Sequence, residues 1–160
     1  MSTHSIRSSC RRLSLVTCAC IGFISWAGLA TAQENAAVGY VKTVKGTATV
    51  TTNGQVVTAQ PGTALHLGSA LQTEAQSSMG VTFKDNTLMS FGPNTHLTVD
   101  EYLYEPGKGE LKLSARMGKG TLNYVSGVIA KLQPDAVTVK TPNGMIGVRG
   151  TQFLLKVAEE

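Results

Sequence analysis

Side chains able to do chemistry are few and scattered in this chain of 160 residues. His66 and His96 are the histidines past residue 33, and they stand far apart. They form neither an H-x-x-x-H nor an H-E-x-x-H spacing, so no catalytic zinc site is expected. Cys10, Cys18 and Cys20 all precede residue 33, which leaves the rest of the chain with no disulfide and no thiolate metal ligand. No G-x-S-x-G elbow occurs to expose a nucleophile. Asp100, Glu101 and Glu105 flank Tyr102 and Tyr104, and two carboxylates beside aromatic rings are what glycoside hydrolysis uses. The same residues suit a solvated strand edge, which is the reading we prefer. Gly144 to Thr151 is glycine-rich but lacks the Gly-Lys-Ser/Thr ending of a phosphate loop. We therefore expect no catalytic residue, no cofactor and no metal. What remains are candidates for contact: Tyr102, Tyr104 and Tyr124 with Lys112 and Arg116, since tyrosine and arginine are enriched at binding hot spots. With Lys108 and Lys119 nearby, these cations could also hold a polyanion such as an anionic glycan. The plainer reading is a solvated hairpin around Pro106 to Gly109.

The elements that must hold these residues are short strands. Turn residues recur at intervals of roughly 8–12 residues, the spacing of strands in an all-β domain. Val38–Val44, Thr47–Thr52 and Gln55–Ala59 come first, the last two joined by Asn53-Gly54, the strongest short hairpin signal. Ala64–Leu67, Ala70–Thr73, Met79–Phe83, Leu88–Phe91 and His96–Tyr104 follow. Then come Glu110–Arg116, Thr121–Ser126, Ala136–Thr141, Met145–Val148 and Gln152–Val157. Val128–Gln133 has room for one turn of helix at most. Apolar residues recur at spacing two, among them Val41, Val50, Leu67, Leu71, Val81, Phe83, Leu97, Val99, Leu113, Val139, Ile146 and Val148, enough for one core. The fold class expected is all-β: one compact β-roll, solenoid-like body or sandwich.

Charge divides the chain. It carries 14 Lys+Arg against 10 Asp+Glu, a formal +4. Arg7, Arg11 and Arg12 fall before residue 33 and no acid does, so the remainder is almost neutral. That removes the case for nucleic-acid binding, which needs a dense cationic face. The three arginines precede an apolar run from Leu13 to Leu29, and Ala30-Thr31-Ala32 follows. A basic start, an apolar run and an A-x-A site read as a secretory signal over residues 1–32, cleaved after Ala32. Residues 33–37 would be a short linker and residues 38–157 the β domain, periplasmic or secreted. If uncleaved, Leu13–Ala32, about 20 residues, is long enough to anchor the chain in a membrane.

Three segments carry a family resemblance. The first runs from Gly39-Tyr40-Val41 through Pro61-Gly62-Thr63-Ala64-Leu65 to Leu67-Gly68-Ser69-Ala70-Leu71-Gln72-Thr73. The second is Phe83-Lys84-Asp85-Asn86-Thr87-Leu88 to Leu97. The third is Val137-Thr138-Val139-Lys140-Thr141-Pro142-Asn143-Gly144-Met145-Ile146-Gly147-Val148-Arg149-Gly150-Thr151-Gln152-Phe153. Together they resemble the FecR domain. Ser69 stands where that family commonly has Asp, and Asn86 where it commonly has Gly, an exchange that still allows positive φ.

The resemblance implies an exported β-rich domain with a role in contact or sensing. Its motif residues Thr141, Pro142, Gly147, Val148, Arg149, Gly150, Thr151 and Phe153 are expected to be mainly structural. Ile146 and Val148 should enter the core, and Arg149 should tie loop carbonyls or a carboxylate. Regulators of iron(III)-dicitrate uptake in this family carry a cytoplasmic segment that binds a sigma factor. Only 12 residues precede the apolar run here, so that activity is the alternative, and the partner expected is another envelope protein. A glycan-active envelope enzyme is the third reading.

Overall fold

Alternation builds the strands. In Ser78–Phe83, Met79, Val81 and Phe83 are buried while Ser78, Gly80 and Thr82 between them are half-exposed, the pattern of a strand with one face on a core. A computed structural model describes residues 36–158; the expected signal segment lies outside the described residues. Among the described residues twelve strands form one curled sheet. They are β1 (Gly39–Lys45), β2 (Ala48–Thr52), β3 (Gln55–Thr58), β4 (Ala64–Leu65), β5 (Ala70–Thr73), β6 (Ser78–Phe83), β7 (Leu88–Phe91), β8 (His96–Glu105), β9 (Glu110–Val125), β10 (Val137–Thr141), β11 (Gly144–Gly147) and β12 (Gln152–Val157). A single-turn helix α1 (Val128–Leu132) joins β9 to β10. No helix among the described residues is long and apolar enough to cross a membrane.

Two lobes share β9. Its first half carries β8 on one side and β10 on the other; its second half carries β7 and β12. One lobe runs outward through β8, β5, β2 and β3, the other through β7, β6, β1 and β4. Every pairing is antiparallel except β9 with β10, which α1 makes possible as a crossover. Both lobes feed one core, including Leu71, Leu97, Val99 and Leu113 from the first and Val41, Val81, Phe83 and Phe91 from the second.

The sequence reading splits β9 into Glu110–Arg116 and Thr121–Ser126, because Gly118 and Gly120 look like a turn. The structure joins them. Met117 is fully buried between, and Gly120 bends the strand at φ 102° instead of ending it. A Cβ at Gly120 would overlap Thr95. Two apolar assignments also change. Leu67 is 44% exposed at a corner, and Ile146 is only half-buried because β11 is an outermost strand. Asn53 and Gly54 take positive φ as the hairpin requires.

Buried hydroxyls hold the corners where the chain passes between lobes. Ser69 Oγ accepts from His66 N at 2.9 Å and meets Thr52 Oγ1 at 2.6 Å. So the Ser69 hydroxyl closes its own turn and ties it to β2. Ser77 Oγ accepts from Thr47 N. Thr95 Oγ1 donates to Gly92 O and accepts from Thr121 N, while Thr95 N donates to Thr73 Oγ1. Buried backbone groups need such partners where ladder bonds stop.

Candidate functional site

The third motif folds as β10, a two-residue turn at Pro142-Asn143, β11, a loop and β12. Thr141 Oγ1 donates to Gly144 O at 3.0 Å and closes the turn. Val148 is 3% exposed, and its N–H donates to Val137 O. Ser126 Oγ donates to Gly150 O, and Ser126 N to Thr151 O at 2.9 Å. Phe153 stacks on Tyr124 with ring centroids 4.9 Å apart. Thr141, Val148 and Phe153 thus hold the fold, whereas Pro142, Gly147, Arg149, Gly150 and Thr151 are exposed. Arg149 does meet a carboxylate: its Nη2 lies 2.9 Å from Asp135 Oδ1, but the side chains are 77% and 75% exposed. Water screens such a pair, so it holds the fold only weakly.

The expected contact residues do not form one surface. Tyr124 is fully buried, which removes it from any contact role. It lies at the β7–β9–β12 junction, where an aromatic ring buries the most area. Burial pushes its phenol pKa up. Tyr102 is half-buried and stacks on Phe83 at 5.5 Å. Tyr104 packs against the core at the end of β8. Lys112 and Arg116 do share an outer face, but each sits on an acid. Lys112 Nζ is 2.6 Å from Glu101 Oε2, and Arg116 Nη2 is 3.0 Å from Asp100 Oδ2 with Lys140 Nζ at 3.9 Å from the same atom. The Lys112 hydrogen bond holds the Glu101 carboxyl below its usual range. Lys108 pairs with Glu105 at 2.6 Å, which raises the lysine's pKa. The acidic cluster and the basic cluster therefore form one cross-strand ladder of alternating charge. Asp100 sits at a β-bulge between Val99 and Glu101. Among the described residues no group of three or more His, Cys, Asp or Glu is arranged to hold a metal.

Sequence reasoning missed the main polar centre. Asp85, read as a turn residue, is fully buried. Its Oδ2 accepts from Thr87 Oγ1 at 2.6 Å and from Ile129 N at 3.3 Å. Its Oδ1 accepts from Thr87 N and from the Tyr102 hydroxyl, both at 3.3 Å. Asp85 N donates back to Tyr102 Oη at 2.9 Å. Desolvation, then the Asp85 charge, raises the Tyr102 phenol pKa far above its ordinary value. Gly127 N donates to Thr87 Oγ1 and Val128 N to Asp85 O. Helix α1 has no capping side chain of its own; the β6–β7 turn caps it from outside. The second motif thus positions the third, because α1 delivers the chain into β10. The signal was in the sequence: an Asp just before the positive-φ Asn86, with Thr two residues on, is an Asx-type turn.

A profile described as FecR protein matches residues 69–160, more than half of the chain. The chain belongs to the FecR family. No curated protein and no solved structure matches it. The FecR match opens at the β5 corner and takes in the Asp85 turn and the third motif. Strands β1 to β4 precede it, yet β1 pairs β6 and β2 pairs β5, so they complete the FecR sheet.

Proposed function

We propose that this FecR-family chain is an exported, non-catalytic binding and signalling module of the bacterial cell envelope. The observation that carries this reading is the outermost strand β3. All four of its residues are exposed, Val56 at 66% and Val57 at 52%, and among the described residues only β2 pairs with it. An unpaired apolar strand edge suits a protein partner that adds a strand of its own. The FecR membership supports a signalling role for that contact. The polar groups of the outer face are committed to one another in the ion-pair ladder, which leaves them poorly placed for acid–base chemistry. A photo-crosslinking residue at position 56 in living cells should trap one predominant envelope protein. Absence of any such product, with the chain folded and exported, refutes the reading. The leader reading belongs to it: the exported product should begin at Gln33.

FecR membership also favours a narrower second reading, regulation of iron(III)-dicitrate uptake through a sigma-factor system. It requires that deletion of the gene alter iron-responsive transcription. An unchanged transcript profile excludes it.

A further inference from the structure

We infer that two copies of this chain pair through β12, antiparallel about Leu154. Among the described residues strand β12 borders the sheet and pairs only with β9. Ser126 N donates to Thr151 O, and antiparallel bonding alternates. The odd residues of β12 therefore turn their backbone groups to β9. Gln152, Leu154 and Lys156 turn theirs to the free edge. Leu154 is 73% exposed, and Phe153, Leu155 and Val157 on the other face are only half-buried. So apolar contact is left open on both faces of this edge.

The strand is symmetrical about one residue: Gln152, Phe153, Leu154, Leu155, Lys156 reads polar, apolar, apolar, apolar, polar in either direction. Run against a copy of itself, it sets Leu154 opposite Leu154, Phe153 opposite Leu155, and Gln152 opposite Lys156. The residues with free backbone groups then face each other, giving roughly six new backbone hydrogen bonds. Because the centre is a residue, both inner faces stay on the same side and the two sheets become continuous. The outer strands β3 and β11 fail this test. In β3 the symmetry of Gln55-Val56-Val57-Thr58 falls between two residues, as it does in β11 for Gly144-Met145-Ile146-Gly147. Self-pairing there would turn the inner faces to opposite sides. A strand pair of this length buries less than the roughly 1,200 Å² of a tight dimer, so the association is weak and concentration-dependent. This inference stands on the edge geometry and not on the partner assigned to β3.

The test is sedimentation of the exported chain with concentration raised to several hundred micromolar. The mean mass should climb from one chain toward two. Leu154→Lys sets two ammonium groups against each other at the axis and should abolish the rise, with an unchanged circular-dichroism spectrum. In a chain with Cys10, Cys18 and Cys20 replaced by serine, Leu154→Cys should oxidise to a covalent dimer. Gln152→Cys should do so at least tenfold more slowly, because it faces Lys156. A chain that stays monomeric, a dimer that survives Leu154→Lys, or equal cross-linking from both cysteines would each overturn the inference.

Discussion

Asp85→Ala tests the polar centre most directly. The carboxylate is fully buried, and it receives the N–H groups of Thr87 and Ile129 and the hydroxyls of Thr87 and Tyr102. The two hydroxyls can rotate toward other acceptors. The two amides cannot, because Thr87 and Ile129 are themselves fully buried. A buried donor left without a partner costs about 1–3 kcal/mol. Two such donors, the Ile129 amide being the α1 cap itself, give a destabilisation of about 3–5 kcal/mol. Natural domains have only about 5–15 kcal/mol in total. At roughly 3–5 °C per kcal/mol for a domain of this size, the midpoint should fall by about 10–20 °C. Urea unfolding followed by circular dichroism measures the free-energy loss, and a thermal scan the shift in midpoint. Thr87→Val removes the partner hydroxyl, and the double variant should lose less than the sum of the single changes, since both act on one network. A change below about 1 kcal/mol for Asp85→Ala, or strict additivity with Thr87→Val, refutes the argument that this turn holds α1.

Gly127→Ala should destabilise through sterics alone, by on the order of 2–3 kcal/mol. A Cβ there meets Thr87 N, Asp85 O and Asp85 Oδ2, and the calorimetric midpoint reads the loss. Tyr102 and Tyr124 are held neutral by burial, so both phenols should ionise above the ordinary 10.0. A pKa raised by folding gives stability that is complete below pH 10 and is lost as pH rises beyond it. Absorbance at 295 nm should show delayed ionisation in the folded chain and not in urea; one shared transition near pH 10 in both states contradicts this. Arg149→Ala should change the unfolding free energy by less than about 0.5 kcal/mol, since its ion pair is exposed. A large loss would restore the structural role that the sequence suggests. Lys112→Met should leave the thermal midpoint unmoved for the same reason.

Most of the strand pattern was legible in the residues. β5, β7 and β12 fall on the stretches read from alternation, because a strand's period of two is local and the turns between them need glycine, proline or asparagine in fixed places. The Asn53-Gly54 hairpin and the positive φ of Asn86 follow from backbone sterics alone. The second and third motifs lie within the family match. Val148 was legible as core and is buried, but the half-exposure of Ile146 on the outermost strand β11 and the exposure of the Arg149–Asp135 pair were not, because both depend on which distant strands cover them.

By itself, then, the sequence determined an all-β chain, the positions of its turns apart from the one read at Gly118–Gly120, and its FecR membership, since each depends on neighbours along the backbone. The tertiary structure decided that Glu110–Val125 is one strand shared by two lobes. It decided that Tyr124 is core instead of surface, that acids and bases interleave on the outer face, and that Asp85 caps a helix 44 residues away. Those outcomes depend on which distant strands become neighbours, and no local pattern encodes the energy of a contact across that separation.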